Sequence, residues 1–270
     1  MAKKKGKGPK LDPQKIQREY GYAYSFFKSD PELFKLVKQA VAGTWTAQRF
    51  TAKLQTTKWY KQHADVWREN DALKYTDPST YKQRMAAYSN QVQNIAGQWG
   101  IDLDAAEVKK FATRGYMMGW NADQLTDSLA NQVTPDKAGD YGGQLASMEA
   151  SLKQTALNNG IRVGAPELQA WMKALVKGNA TVDQYETHIR NLAANTFSAY
   201  GTELKSGMNL SDIASPYVQS MSDILEMNPA SINMYDPTIR KALSYQDPKT
   251  GAARPMSITT RRISPTYRCG

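Results

Sequence analysis

Four glutamates, two histidines and one cysteine are the residues of this chain that could do chemistry. A glycosidic bond can be cut by a single carboxylic acid held in an apolar cleft, provided polar loops grip the sugar. Glu32, Glu69, Glu107 and Glu167 are the candidates for that role. His63 and His188 are the only histidines, 125 positions apart, and Cys269 is the only cysteine, near the end of the chain. Two unrelated histidines with scattered carboxylates do not make a metal-ligand spacing, and no catalytic triad can be assembled around Cys269. One cysteine also excludes an internal disulfide framework and a cysteine-based zinc site. Nucleophile-elbow, phosphate-loop and dinucleotide-binding glycine spacings are absent; "DYGGQL" at 140–145 has two glycines but no strand before it and reads as a turn. The expectation is therefore no catalytic residue, no metal and no cofactor.

Positioning of the glutamates is explained by a repeat. "GIDLDAAEVKKF" begins at Gly100, and "GIRVGAPELQAW" begins at Gly160. Residues 81–129 align with 141–189 without a gap, and nine of the 49 positions are identical: Tyr81, Ala86, Ala96, Gly100, Ile101, Ala105, Glu107, Asp123 and Gln124 with their partners. Apolar positions match as well, among them Met85 with Leu145, Val92 with Leu152, Val108 with Leu168 and Phe111 with Trp171. A further copy of the second half lies at 30–54 over 105–129, pairing Glu32 with Glu107, Trp45 with Trp120 and Leu54 with Leu129. "DPTIRKAL" at 236–243 starts a partial fourth copy. In this light Glu32, Glu107 and Glu167 are first-turn residues favoured by the helix dipole.

Each copy reads as helices. Tyr81, Met85, Tyr88, Val92 and Ile95 recur at helical spacing. Gly100 and Gly160 break that helix, and Asp104 or Asp30 caps the next. The second helix should end near Gly43, Gly119 or Gly178, with Thr46, Asn121 or Thr181 capping a third. Further helices are expected at 13–27, 142–157, 184–204 and 210–226, with Asn228-Pro229 and Asp247-Pro248 as breakers. Strands are nearly unsupported. The fold expectation is all-α: repeated short helical hairpins forming one elongated or two small helical domains. Its parts are a basic arm at 1–12, repeat regions at 13–130 and 131–227, and a partial unit with a basic tail at 228–270.

A mean hydropathy of −0.62 suits a polar globular chain, and no run approaches a membrane span. "MAKKKGKGPKLDPQKIQ" is basic without an apolar segment, unlike a secretory signal. The net charge of +10 sits at the ends. Residues 1–18 and 239–270 are strongly basic, while the long middle is slightly acidic. Lys3, Lys4, Lys5, Lys7 and Lys10 form a candidate arm for non-specific DNA contact, its binding expected to weaken steeply with salt. Most tryptophans fall on core positions; the exception is Trp59-Tyr60, which with Trp67 and flanking Lys58 and Lys61 forms a candidate protein-contact face. After "GAARPMSITT" the pattern calls for another helix, but "RRISPTYRCG" has no period and reads as a basic tail, a shifted reading frame or a truncation.

Units of the type "DPEL…AVAGTWTAQRFTAKLQTTKWY", and "IASPYVQSMSDILEMNP" followed by "DPTIRKAL" and "PMSI", resemble virion structural proteins of tailed phages, especially those of actinobacterial hosts. The resemblance spans roughly 20–260. It implies a tail or head–tail component made in the host cytoplasm and assembled with other virion proteins, and it implies no reaction. A DNA-associated internal virion protein and a peptidoglycan hydrolase used during infection are the alternative classes.

Overall fold

The computed structural model describes residues 10–256. These residues form fifteen α-helices, two 3-10 turns and no strand, so the chain is all-α. It divides into two compact units, one ending at Leu129 and the other beginning at Ala130.

The first unit opens with α1 (Pro13–Tyr20), α2 (Tyr24–Lys28), α3 (Pro31–Ala42) and α4 (Ala47–Leu54). It continues through α5 (Lys58–Gln62), α6 (Asp65–Thr76), α7 (Pro78–Trp99), α8 (Ala105–Met118) and α9 (Ala122–Ala130). Asp-Pro starts α1, α3 and α7, the carboxylate accepting first-turn amides and proline supplying a preset φ where no amide is needed. One core cluster packs Ile16, Tyr20, Phe26, Phe27, Leu33, Val37, Phe50 and Leu54 around α2 and α3. The helix expected over 13–27 is two helices, because Gly21 takes a left-handed φ of 78° and turns the chain.

Where α3 ends, the left-handed residue is Thr44 (φ 48°), one past the expected Gly43. Gly43 is needed for another reason: a Cβ there would lie 2.6 Å from the Trp45 indole Nε1. A β-branched residue in the left-handed region is strained. Thr44→Gly relieves that strain but adds unfolded-state freedom, so we expect a net gain of about 0.5–1 kcal/mol. A denaturant midpoint shifted upward checks it; a downward shift contradicts the assigned conformation.

The second unit contains α10 (Gly143–Asn158), α11 (Ala165–Val176), α12 (Val182–Thr196), α13 (Gly201–Lys205), α14 (Leu210–Leu225) and α15 (Pro237–Leu243). The expected 184–204 helix breaks at Phe197, which leaves the helical region and joins a core cluster with Tyr200, Leu204, Leu210, Met234, Ile239 and Leu243. Beyond α15, Asp247 accepts the Lys249 and Thr250 amides in a turn, with an antiparallel bridge between Gln246 and Ala253; the further helix expected after Thr260 lies outside the described residues. Residues 257–270 lie outside the described ones.

The repeat is visible at the level of individual hydrogen bonds. Gly100 and Gly160 have φ of 74° and 64°. Behind each, the next isoleucine amide reaches back to an alanine carbonyl, Ile101 to Ala96 at 2.8 Å and Ile161 to Ala156 at 2.9 Å. Asn121 with Gln124, and Thr181 with Gln184, form the same reciprocal cap. Val92, Leu125 and Leu129 are buried, as are their partners Leu152, Tyr185 and Ile189. The 30–54 copy repeats the next joint of the unit, the Trp45 amide bonding to the Ala40 carbonyl as the Trp120 amide bonds to that of Gly115.

Burial also sets a pH limit. The Tyr185 hydroxyl donates to the Leu152 carbonyl at 3.2 Å, and Tyr200 and Tyr217 share a hydroxyl contact at 3.1 Å. Removal from water pushes both Tyr185 and Tyr200 well above the ordinary phenol value of 10.0. Their contribution is complete below about pH 10 and is lost as pH rises, because the unfolded phenols release protons first. We expect alkaline unfolding to coincide with a late cooperative rise in phenolate absorbance, and Tyr185→Phe to move that transition to higher pH.

Candidate contact groove on the first unit

Three helices frame an open groove of ≈ 740 Å³. From α6, Trp67, Asp71 and Lys74 follow each other at helical spacing along one stripe; α7 adds Tyr81; α8 adds Lys109, Lys110, Arg114, Met117 and Met118. The frame is rigid. Asn70, buried, donates its amide to the Tyr116 carbonyl at 2.8 Å and ties α6 to α8. The Tyr88 hydroxyl donates to the Trp120 carbonyl at 2.7 Å and ties α7 to the end of α8. Gly115 permits that approach, since a Cβ there would fall 2.7 Å from the Tyr88 ring. Val66 packs against Gly119, leaving Val66 and Met118 both largely exposed beside the groove.

The lining is cationic and apolar together. The lining holds Lys74, Lys109, Lys110 and Arg114 and one carboxylate, Asp71, whose Oδ2 already accepts the Trp59 indole N–H at 2.9 Å. Methionines at the mouth adapt to varied apolar shapes. An anionic, partly apolar ligand fits this chemistry.

Trp59, Tyr60 and Trp67 lie together, the Trp59 ring 6.5 Å from each of the other two, but they differ in exposure and in what they face. Trp59 is 7% exposed and belongs to the core, packed edge-on against Phe26 at 5.0 Å. The Tyr60 ring lies under the Arg68 guanidinium at 3.7 Å. Arg68 also donates to the carbonyls of Tyr60 and His63 and to Asp65, riveting α5 to α6. Trp67, half-buried and stacked on His63, is the member that reaches the groove. Lys10 is exposed, while Lys3, Lys4, Lys5 and Lys7 lie outside the described residues.

None of the four candidate glutamates is buried. Glu107 closes a reciprocal cap with Asp104, at 2.8 and 3.0 Å. Glu32 accepts the Lys58 amide at 3.0 Å and anchors α5 to α3. Glu69 is exposed on α6. Glu167, in the first turn of α11 behind a Gly164 N-cap that makes no side-chain cap bond, meets His188 Nε2 at 3.3 Å, and the His188 ring lies 5.5 Å from that of Trp171. That pair joins two sequence candidates, but both side chains are well exposed. The buried carboxylate among the described residues is Glu149, which the sequence did not single out; it pairs with Lys153 at 2.7 Å and accepts the Tyr141 amide. Among the described residues no group of three or more His, Cys, Asp or Glu could hold a metal, and no helix is long and apolar enough to cross a membrane.

A signal for the groove was present in "AEVKKFATRGYMM". The buried face of α8 is filled by Val108, Ala112, Gly115 and Tyr116, so adjacent Met117 and Met118 cannot both turn inward. Compared with protein-family models, curated proteins and solved structures, the chain matches none.

Proposed function

We propose that the protein is a non-enzymatic structural component of a tailed-phage virion, placed in the tail or head–tail region and working through helix-face contacts with other virion proteins. The observation that carries the contact reading is the α6–α8 groove, where Trp67, two methionines and four cations sit open on a braced three-helix frame. The phage assignment draws on the resemblance of the 30–60 and 213–243 segments to virion proteins.

Washed particles should contain the chain at a fixed copy number, and chemical crosslinks from Lys109 or Lys110 should reach a second virion polypeptide. Absence from washed particles overturns the phage assignment. The same four groove cations, together with the basic arm, favour DNA association as the second reading. Steeply salt-dependent DNA binding, lost on deleting residues 1–10, would establish that alternative.

A further inference from the structure

The second unit carries a surface whose chemistry is the complement of the groove. At the end of α14, Ile224 is 64% exposed, and Leu225 and Met227 are exposed beside it. These side chains are displayed on a fixed backbone. Glu226 closes the helix in the left-handed region (φ 51°), the Met227 amide donates to the Ser222 carbonyl at 3.1 Å, and Ser222 Oγ donates to the Met227 carbonyl at 2.5 Å. A firmly held apolar cluster left in water marks a contact surface. Its flanks are acidic, with Asp223 and Glu226 both exposed. No lysine or arginine occurs between Lys205 and Arg240, whereas Asp212, Asp223, Glu226 and Asp236 do.

We infer that the α14 end of one copy docks into the α6–α8 groove of a second copy, so that the protein self-assembles head to tail. The inference rests on the groove being a protein-docking surface and names its occupant. Ile224, Leu225 and Met227 meet Trp67, Met117 and Met118, while Asp223 and Glu226 meet Lys109, Lys110 and Arg114. Charge complementarity fixes the choice of a second copy: the groove offers four cations against one engaged carboxylate, and the α14 end offers carboxylates with no cation nearby in sequence. Two different surfaces on each copy make a heterologous contact. Every added copy leaves a groove and an α14 end unfilled, so growth ends only in a closed ring or continues as a filament.

Sedimentation velocity on the full chain tests this across a concentration series at low and high salt. Expected is a sedimentation coefficient that rises with concentration and falls back in high salt. Replacing Ile224 and Leu225 together by Asp should weaken association by roughly tenfold or more. Charge exchange separates docking from misfolding. Lys109→Glu with Lys110→Glu, and Asp223→Lys with Glu226→Lys, should each abolish association alone, and mixing the two variants should restore it. A monomeric wild type at every concentration overturns the inference, as does association that ignores both exchanges or that requires added nucleic acid. The docking reading beneath it fails separately. If wild type is monomeric yet Lys109→Glu with Lys110→Glu is lost from particles, the groove serves another virion protein; if particle content is also unchanged, both readings fall.

Discussion

Phe26→Ala costs the first unit about 3–5 kcal/mol, the range for truncating a fully buried aromatic side chain. Phe26 has no exposed surface, and its ring meets Tyr22 at 5.0 Å, Phe27 at 5.3 Å, Trp59 at 5.0 Å and Tyr75 at 5.9 Å. No neighbour can collapse into the space without giving up another of these contacts. Tryptophan fluorescence reports the loss, because Trp45, Trp59, Trp67, Trp99 and Trp120 all precede the unit boundary and only Trp171 follows it. With a urea slope of about 1–3 kcal/mol per molar, the midpoint falls by more than about 1 M. Binding in the groove should weaken in parallel, since Trp59 holds Asp71 in place. An unchanged midpoint would remove Phe26 from the core.

The second large effect separates two positions that look equivalent. Gly160→Ala and Gly100→Ala each place a Cβ in the left-handed region, a strain of about 1–2 kcal/mol. Only Gly160 is buried, and a Cβ there would stand 3.1 Å from Leu210 Cδ2, 3.2 Å from the Met234 carbonyl and 3.3 Å from Arg240 Nη1. Its carbonyl also accepts from Arg240, whose guanidinium lies 5.2 Å from the Phe197 ring, and Tyr235 donates to the Ile161 carbonyl at 2.9 Å. We expect about 2–4 kcal/mol lost at Gly160, strain plus disturbed packing, against about 1–2 at Gly100. Hydrogen exchange at the Ile161 and Ile101 amides reads each joint separately. Equal acceleration at both would contradict the clamp of α14 and α15 on the second copy.

Local chemistry was legible in the sequence, and long-range partnership was not. Gly100 and Gly160, the caps at Asp104, Asn121 and Thr181, and the periodic apolar face of 81–97 act within a few residues, so their types alone dictated helices and joints. The division of 13–27 at Gly21 was equally local but was masked by the aromatic run "YGYAYSFF", whose members fill a core through two short helices. Neither α5 nor α6 could be read from "WYKQHADVW", because Arg68 organises that stretch through carbonyls that no pattern names. The buried Asn159 is a similar case: it bonds to Thr155, Asn209 and the Leu210 amide, and its meaning exists only once α10 and α14 meet. For the contact site, spacing marked Trp67 but grouped it with Trp59, whose indole the tertiary core claims. Met118 and the α8 cations depended on knowing which face of α8 was already filled.

The self-contained joint at Gly100 and Gly160 has a genetic consequence. Its left-handed glycine and the bond from isoleucine back to alanine use only residues that both copies share. An unequal crossover at the two glycines, in frame, therefore joins the helix of one copy to the connector of the other with the isoleucine-to-alanine bond preserved. Deletion or gain of a sixty-residue block keeps the backbone bonds of the joint at the seam, so descendants of this gene should differ in length by whole blocks more readily than by single residues within a helix.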